Sequence, residues 1–179
     1  MARPGVPDLS GGGGPVIRVD SEIELRPLAE ADVTQRYVDR INDPSISQYL
    51  ISAMNGPQTI GDVRAMVLSN WHAADAVLFG IFSAGMHCGN IRLHDITRER
   101  AFLGVAVFEP HVKGKGVGRR AIAGLARFAV NELGIAEIVA GIDDKNIRSQ
   151  RAFLKAGFDK TSRSPDGKGS LWKYPQNIS

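Results

Sequence analysis

The sequence predicts a mixed α/β domain built on a central, mostly antiparallel sheet flanked by helices, and three observations carry that expectation. Three short apolar runs, AVLFGIF, CGNIRL and AFLGVAVF, follow one another across short turns, as the strands of an antiparallel meander do. A helical segment, AIAGLARFAVNELG, then separates AFLGVAVF from IAEIVAGI. A crossover of that length joins strands that run in parallel. Helix and strand go on alternating towards the C-terminus, the order of a layered α/β architecture.

Taken in order, residues 1–15 are rich in glycine and proline and cannot bury apolar area, so they read as a disordered tail ahead of one domain over 16–179. Residues 23–26 predict a strand, stopped by Pro27. In LAEADVTQRYVDRINDP, Val33, Tyr37 and Ile41 recur at every fourth position, the stripe of an amphipathic helix, with Asn42-Asp43-Pro44 as its stop. A second helix follows Thr59, whose spacing to Asp62 suits an N-cap, and carries Val63, Met66, Val67 and Trp71 on one side. The turns of the meander fall at 83–85 and 97–100. Beyond IAEIVAGI, NIRSQRAFLKAG is a helix ended by Gly157, and SLWKY is a last strand after the SPDGKG turn.

Composition bounds the function. A chain of 179 residues, 43% hydrophobic and 23% charged, suits a single globular domain. No apolar run approaches the roughly 20 residues that a membrane span needs, and the N-terminal stretch lacks the apolar centre of a secretory signal. The single cysteine, Cys88, excludes an internal disulfide and fits a reducing cytoplasm. The four histidines (72, 87, 94 and 111) have no metal-ligand spacing, so no metal is expected. A net charge of +3 is too small to indicate nucleic acid, and neither nucleic acid nor membrane is an expected partner. A second copy of the chain is a candidate partner.

The stretch HVKGKGVGRRAIAGL, at 111–125, concentrates the charge on Lys113, Lys115, Arg119 and Arg120, immediately ahead of a helix. A helix N-terminus leaves its first amides unpaired and carries a partial positive charge. Glycines let that backbone approach a phosphate closely. A tight turn beside a solvated basic face is the alternative. No Ser or Thr follows the lysines as a P-loop requires, and the loop lies after the meander instead of after the first strand, where a dinucleotide fold would place it.

Together with a second motif downstream, the loop resembles the acetyl-CoA site of the GNAT N-acetyltransferases. Their signature, Arg/Gln-x-x-Gly-x-Gly/Ala, lies between the fourth strand and third helix; Lys113-Gly114-Lys115-Gly116-Val117-Gly118 is similar, with lysine at the first position. The second element, Asn-x-x-Ser/Ala followed by an aromatic and Gly-Phe, is matched by Asn146 to Ser149, Phe153 and Gly157-Phe158. The resemblance covers about 23–174, and the N-terminal part with GNIRL is similar to the RimJ/RimL-like branch, most of all to members that acetylate amino-sugars on nucleotide carriers.

The resemblance implies a sheet whose fourth and fifth strands are parallel and splayed. Ala106, Val107 and Phe108 would offer a backbone edge to the pantetheine arm. The amides of Lys113, Gly114, Lys115, Gly116, Val117, Gly118 and Arg119 would hold the pyrophosphate. Asn146 would bond the pantetheine region, cap the helix that follows, or do both, and Phe153 would lie near the thioester unless it is a core aromatic. Arg36, Tyr37, Asn42, Tyr49 and Trp172 are candidates to line the acceptor cleft, although helical periodicity explains Tyr37 and burial explains Trp172 equally well.

The implied reaction is direct attack of a neutral amine on the acetyl-CoA carbonyl, which needs a route for the amine proton and donors for the oxyanion. Two usual catalytic side chains are replaced: a Glu two residues before the glycine of the fourth strand is Phe102 here, and a Tyr acid is Phe153. His94, Asp95, Glu99 and Glu109 are the candidate bases. Histidine changes protonation near neutral pH, and His94 ends the third strand beside the expected cleft. As plain surface residues, His94 would be a turn histidine and Glu99 and Glu109 solvated charges. The expected activity is acetyl transfer to a primary amine, an amino-sugar nucleotide or other small molecule, with protein N-terminal acetylation or CoA binding without catalysis as alternatives.

Overall fold

In the computed structural model, which describes residues 6–50 and 54–175, the elements run β1 (Ile17–Arg18), β2 (Ile23–Pro27), α1 (Gln35–Asn42), α2 (Pro44–Ser47), α3 (Ile60–Trp71), β3 (Val77–Ser83), β4 (Met86–His94), β5 (Arg100–Val107), α4 (Val117–Asn131), β6 (Glu137–Asp143), α5 (Ile147–Lys155), β7 (Asp159–Arg163) and β8 (Gly169–Tyr174). The strands form one sheet in the order β1-β2-β3-β4-β5-β6-β8-β7. Every neighbouring pair is antiparallel except β5 and β6, the pair linked by α4. The fourth strand of the sequence reading is therefore β5, because the short β1 precedes the rest.

Side chains alternate along a strand, so the sheet has two faces and two core clusters. Leu103, Val105 and Val107 of β5 pack with Val117, Ala121, Ile122 and Leu125 of α4. The opposite face of β3 contributes Leu78 and Phe82, which pack with Tyr37, Val38 and Ile41 of α1 and Val63 and Val67 of α3.

Local chemistry sets the helix ends. Thr59 and Asp62 form the expected reciprocal cap, Asp62 N–H donating to Thr59 Oγ1 at 3.2 Å and Thr59 N–H to Asp62 Oδ2 at 2.8 Å. Thr34 caps α1 by accepting from Tyr37 N–H, so the helix starts two residues past Val33. Asn42-Asp43-Pro44 ends α1 as expected and also opens α2, because Asp43 accepts from Ser45 N–H at 2.8 Å and proline is at home in a first helical turn.

Two segments depart from expectation. Residues 1–5 of the expected disordered tail lie outside the described residues, but the remainder folds onto the sheet. Leu9 is 1% exposed within the larger core cluster. Burial of such a side chain is worth roughly 2 kcal/mol, enough to hold a short segment. Gly12 lets the chain turn back here, since a Cβ would sit 2.8 Å from Ala29 Cα. The strand β7 carries no apolar alternation; all five of its residues are exposed, and pairing with β8 alone makes it a strand.

Candidate functional site

The site lies where β5 and β6 separate. They pair over only three positions, Arg100 with Glu137, Ala101 with Ile138 and Phe102 with Val139. Past Phe102 and Val139 the strands part, and their facing backbones open into a cleft.

The loop from β5 into α4 closes one end of this cleft. Pro110–Val112 makes one turn of 3-10 helix, and Gly116, at φ 73°, turns the chain into α4. That left-handed conformation costs an L-residue about 1 kcal/mol, hence the glycine. Lys113 N–H donates to Pro110 O at 3.1 Å and Lys115 N–H to Val112 O at 3.2 Å. These two amides, expected to face a phosphate, are thus engaged in the turn. The amides of Gly114, Gly116, Val117, Gly118 and Arg119 have no acceptor among the described residues. They lie within two turns of backbone at the positive end of a 15-residue helix. Arg119 is exposed beside them, in a hollow of about 270 Å³ lined also by Arg127 and Lys155. Arg120 lines the same hollow but is committed to Asp20 at 2.9 Å and Glu22 at 3.1 Å, and so anchors α4 to the turn between β1 and β2.

Glu109 corrects the reading of a solvated charge. It is 1% exposed, and its carboxylate takes two hydrogen bonds from Arg36, at 2.8 and 2.9 Å. Arg40 Nε lies 3.6 Å and His111 Nδ1 3.5 Å away. The hydrogen-bonded Arg36 guanidinium, backed by Arg40 and His111, outweighs burial and holds the carboxyl below its ordinary value. A carboxylate so stabilised is a poor base; it acts as a pin between α1 and the loop. Arg36, expected in the acceptor cleft, is the other half of that pin.

The other expected residues divide between core and cleft. Phe108 is buried on Tyr37, ring centroids 5.2 Å apart, and its N–H donates to Cys88 O, so its backbone donor is not part of the open edge. Ala106 and Val107 belong to the diverging part of β5. Phe153 is 2% exposed and packs edge-on to Phe158; Trp172, at 6%, shares that cluster on the α4 face, away from α1. The Trp172 Nε1 is buried without a partner among the described residues. Tyr37 is also buried, and its hydroxyl accepts from Asn90, whose Oδ1 meets His87 Nε2 at 2.9 Å. Burial pushes the Tyr37 phenol up to about 12 and the Cys88 thiol up to about 11, and holds His87 below its ordinary value. Asn42 clamps Gln58 by two hydrogen bonds of 2.7 and 2.8 Å. Tyr49 is 39% exposed after α2. Asn146 caps α5, accepting from Ser149 N–H at 3.1 Å, and its Nδ2 has no acceptor among the described residues.

On the α1 side, the cleft floor is bare. Gly104 and Gly141, each two residues past the last β5–β6 pair, would meet nothing within 4 Å if they carried a Cβ. His94 stands beside this floor, paired in register with Phe102 and stacked on its ring at 5.6 Å. Its Nδ1 lies 3.0 Å from Asp95 Oδ2, and Nε2 has no hydrogen-bond partner among the described residues. Glu99 is exposed in the turn between β4 and β5. Across the β4–β5 ladder from Gly104 stands Arg92, whose Nε donates to Asn70 Oδ1 at 3.0 Å. Sequence reasoning missed this pair. Its signal was there: Asn70 continues the Val63–Val67 stripe of α3 as its one polar member, 5% exposed. Among the described residues, no three His, Cys, Asp or Glu side chains gather as metal ligands.

Comparison with known proteins agrees with this architecture. The model of the GNAT acetyltransferase domain matches residues 22–159, and the chain belongs to the GNAT acetyltransferase family. The probable N-acetyltransferase YjcK of Bacillus subtilis (strain 168) is 36% identical over 87 residues, 46% of this chain and 48% of that protein. The chain thus spans about half the length of the curated relative it matches. Two solved structures share the fold: RimL, the ribosomal L7/L12 alpha-N-protein acetyltransferase, with a TM-score of 0.76, 17% identity, and 92% of this chain and 94% of that one covered; and AAC(6')-Ib with ribostamycin and coenzyme A, with a TM-score of 0.74, 18% identity, and 87% and 94% covered.

Proposed function

We propose that the protein transfers an acetyl group from acetyl-CoA to a primary amine within a ternary complex, and that the acceptor is a small molecule such as an amino-sugar nucleotide. The observation that carries this reading is the group of five amides at the start of α4 without an acceptor among the described residues, at the mouth of the β5–β6 cleft. In this reading those amides receive the pyrophosphate, Arg119 with Lys113 and Lys115 supplies counter-charge, and the open backbone of β5 around Ala106 and Val107 pairs with the pantetheine arm. Asn146 Nδ2 faces the same arm.

The substrate supplies an activated thioester carbonyl. The amine lone pair forms the C–N bond, the carbonyl electrons move to oxygen, and their return breaks the C–S bond to release a thiolate. Holding the two reactants together provides much of the acceleration. His94 Nε2 takes the amine proton, with Asp95 on Nδ1 fixing the tautomer that keeps Nε2 basic. A thiol near pKa 8.5, as for cysteine, leaves with little protonation.

The test follows free thiol from acetyl-CoA with amino-sugar nucleotides, polyamines and N-terminal peptides as acceptors. Turnover on an amino-sugar nucleotide supports the proposal. Turnover on the peptides alone replaces its acceptor by a protein N-terminus. CoA binding with no turnover on any acceptor would make the chain a binding module. His94→Gln is expected to lower kcat about 100-fold without changing CoA affinity.

A further inference from the structure

We infer that Arg92 selects the acceptor: its guanidinium receives an anionic group, phosphate or carboxylate, carried by the molecule that bears the amine. The inference rests on the proposed transfer to an amine in this cleft, and it specifies the acceptor's charge.

Asn70 shows that the Arg92 position is built. An asparagine on the buried stripe of a helix is costly unless its amide is satisfied. Its Nδ2 donates to Met66 O at 2.8 Å, which orients the amide and turns Oδ1 towards Arg92 Nε at 3.0 Å. With Nε fixed, the guanidinium plane is restrained, yet Arg92 remains exposed and its Nη1 and Nη2 have no acceptor among the described residues. A fork of N–H groups held in this way suits two oxygens of a phosphate or carboxylate.

Its surroundings favour the same ligand. Gly104, the ladder partner of Arg92, and Gly141 across the cleft leave bare floor beside it. Three neighbouring cations on this face of the sheet are committed: Arg26 to Asp32 at 2.9 Å, Lys173 to Glu137 at 2.5 Å, and Arg100 over the Phe102 ring at 5.1 Å. Arg92 thus brings an uncompensated positive charge to the acceptor side. An acceptor with only amines is repelled there, and one with an anion near its amine is drawn in and oriented.

Calorimetric titration of the CoA-saturated protein tests this without turnover, using glucosamine, glucosamine 6-phosphate and glucosaminic acid as probes. The wild type is expected to bind the phosphate or the carboxylate probe roughly tenfold or more tightly than glucosamine, the size of a charge-assisted hydrogen bond. The tighter of the two anionic probes identifies the group. Arg92→Gln, at an exposed position, should remove the preference, and Asn70→Ala should reduce it by loosening the fork. Equal binding of all three probes, binding of none, or a preference that survives Arg92→Gln would overturn the inference. The preference together with a complete lack of thiol release on every acceptor would instead defeat the amine-transfer reading and leave an anion site at Arg92.

Discussion

The Arg36 guanidinium clasps the Glu109 carboxylate by two hydrogen bonds, Nε to Oε1 at 2.8 Å and Nη2 to Oε2 at 2.9 Å, and so ties α1 to the head of the loop that precedes α4. Helix α1 packs on the face of the sheet where the proposed acceptor would lie, and the loop carries the amides proposed to receive phosphate. The two halves of the proposed ternary complex are therefore joined through one buried carboxylate.

Replacing that carboxylate tests the joint. Glu109→Gln leaves Arg36 and Arg40 around a neutral amide, with Arg40 Nε already lacking a hydrogen-bond partner among the described residues. Stability should fall by about 2 kcal/mol in chemical denaturation, and the KM for acetyl-CoA should rise as the loop loosens. Arg36→Met should have at least as large an effect, since it leaves the buried Glu109 carboxylate without either hydrogen bond.

The loop glycines separate folding from binding. Gly116→Ala places a Cβ on a residue at φ 73° and 2.9 Å from Arg119 Nε, and should lower stability by about 1 kcal/mol. Gly118 has an ordinary helical backbone, and a Cβ there would reach Val107 only at 3.4 Å. Gly118→Ala should therefore fold with a stability change under about 1 kcal/mol and weaken CoA binding by calorimetry where the backbone approaches the phosphates.

Two adjacent arginines of one hollow should behave differently. Arg119→Gln is expected to weaken CoA binding and flatten its dependence on salt, because an exposed counter-charge is lost. Arg120→Gln removes the pairs with Asp20 and Glu22; it should lower stability by less than about 1 kcal/mol and weaken CoA binding less than Arg119→Gln does, because its charge is already compensated.

Acid should destabilise the fold in two stages. His87 is held below its ordinary 6.5 by burial, and Glu109 below its ordinary 4.5 by its hydrogen bonds with Arg36. Each native value is lower than the unfolded one, so each contribution is complete above the ordinary value and is lost as pH falls through the native value. Denaturation midpoints should stay level above about 6.5, decline below it, and decline again below about 4.5. His87→Gln should remove the first decline and Glu109→Gln should lessen the second, to which Asp32 and other carboxylates held low by hydrogen bonds also contribute.

Much of this was legible in the chain because it rests on local pattern. The apolar runs marked β3, β4 and β5, Thr59 and Asp62 marked the start of α3, and Gly116 marked the turn into α4. Pairings set by three-dimensional proximity were not legible. Glu109 and Arg36 are 73 residues apart and Arg92 and Asn70 are 22 apart; either charged residue alone reads as a surface residue. Strand β7 failed for a related reason, since DKTSR has no apolar alternation and its structure comes from hydrogen bonding to β8. The tail of glycines was misread because composition does not reveal a single anchoring Leu9.

The bare floor formed by Gly104 and Gly141 has one more consequence. In the proposed acceptor channel two methyl groups are missing from the floor, at ordinary strand dihedrals that alanine also adopts. Substrate size can therefore be graded in single-carbon steps at either position, independently of the donor amides at α4. Libraries limited to these two codons would retune which of the proposed amines fit while leaving the proposed thioester site intact.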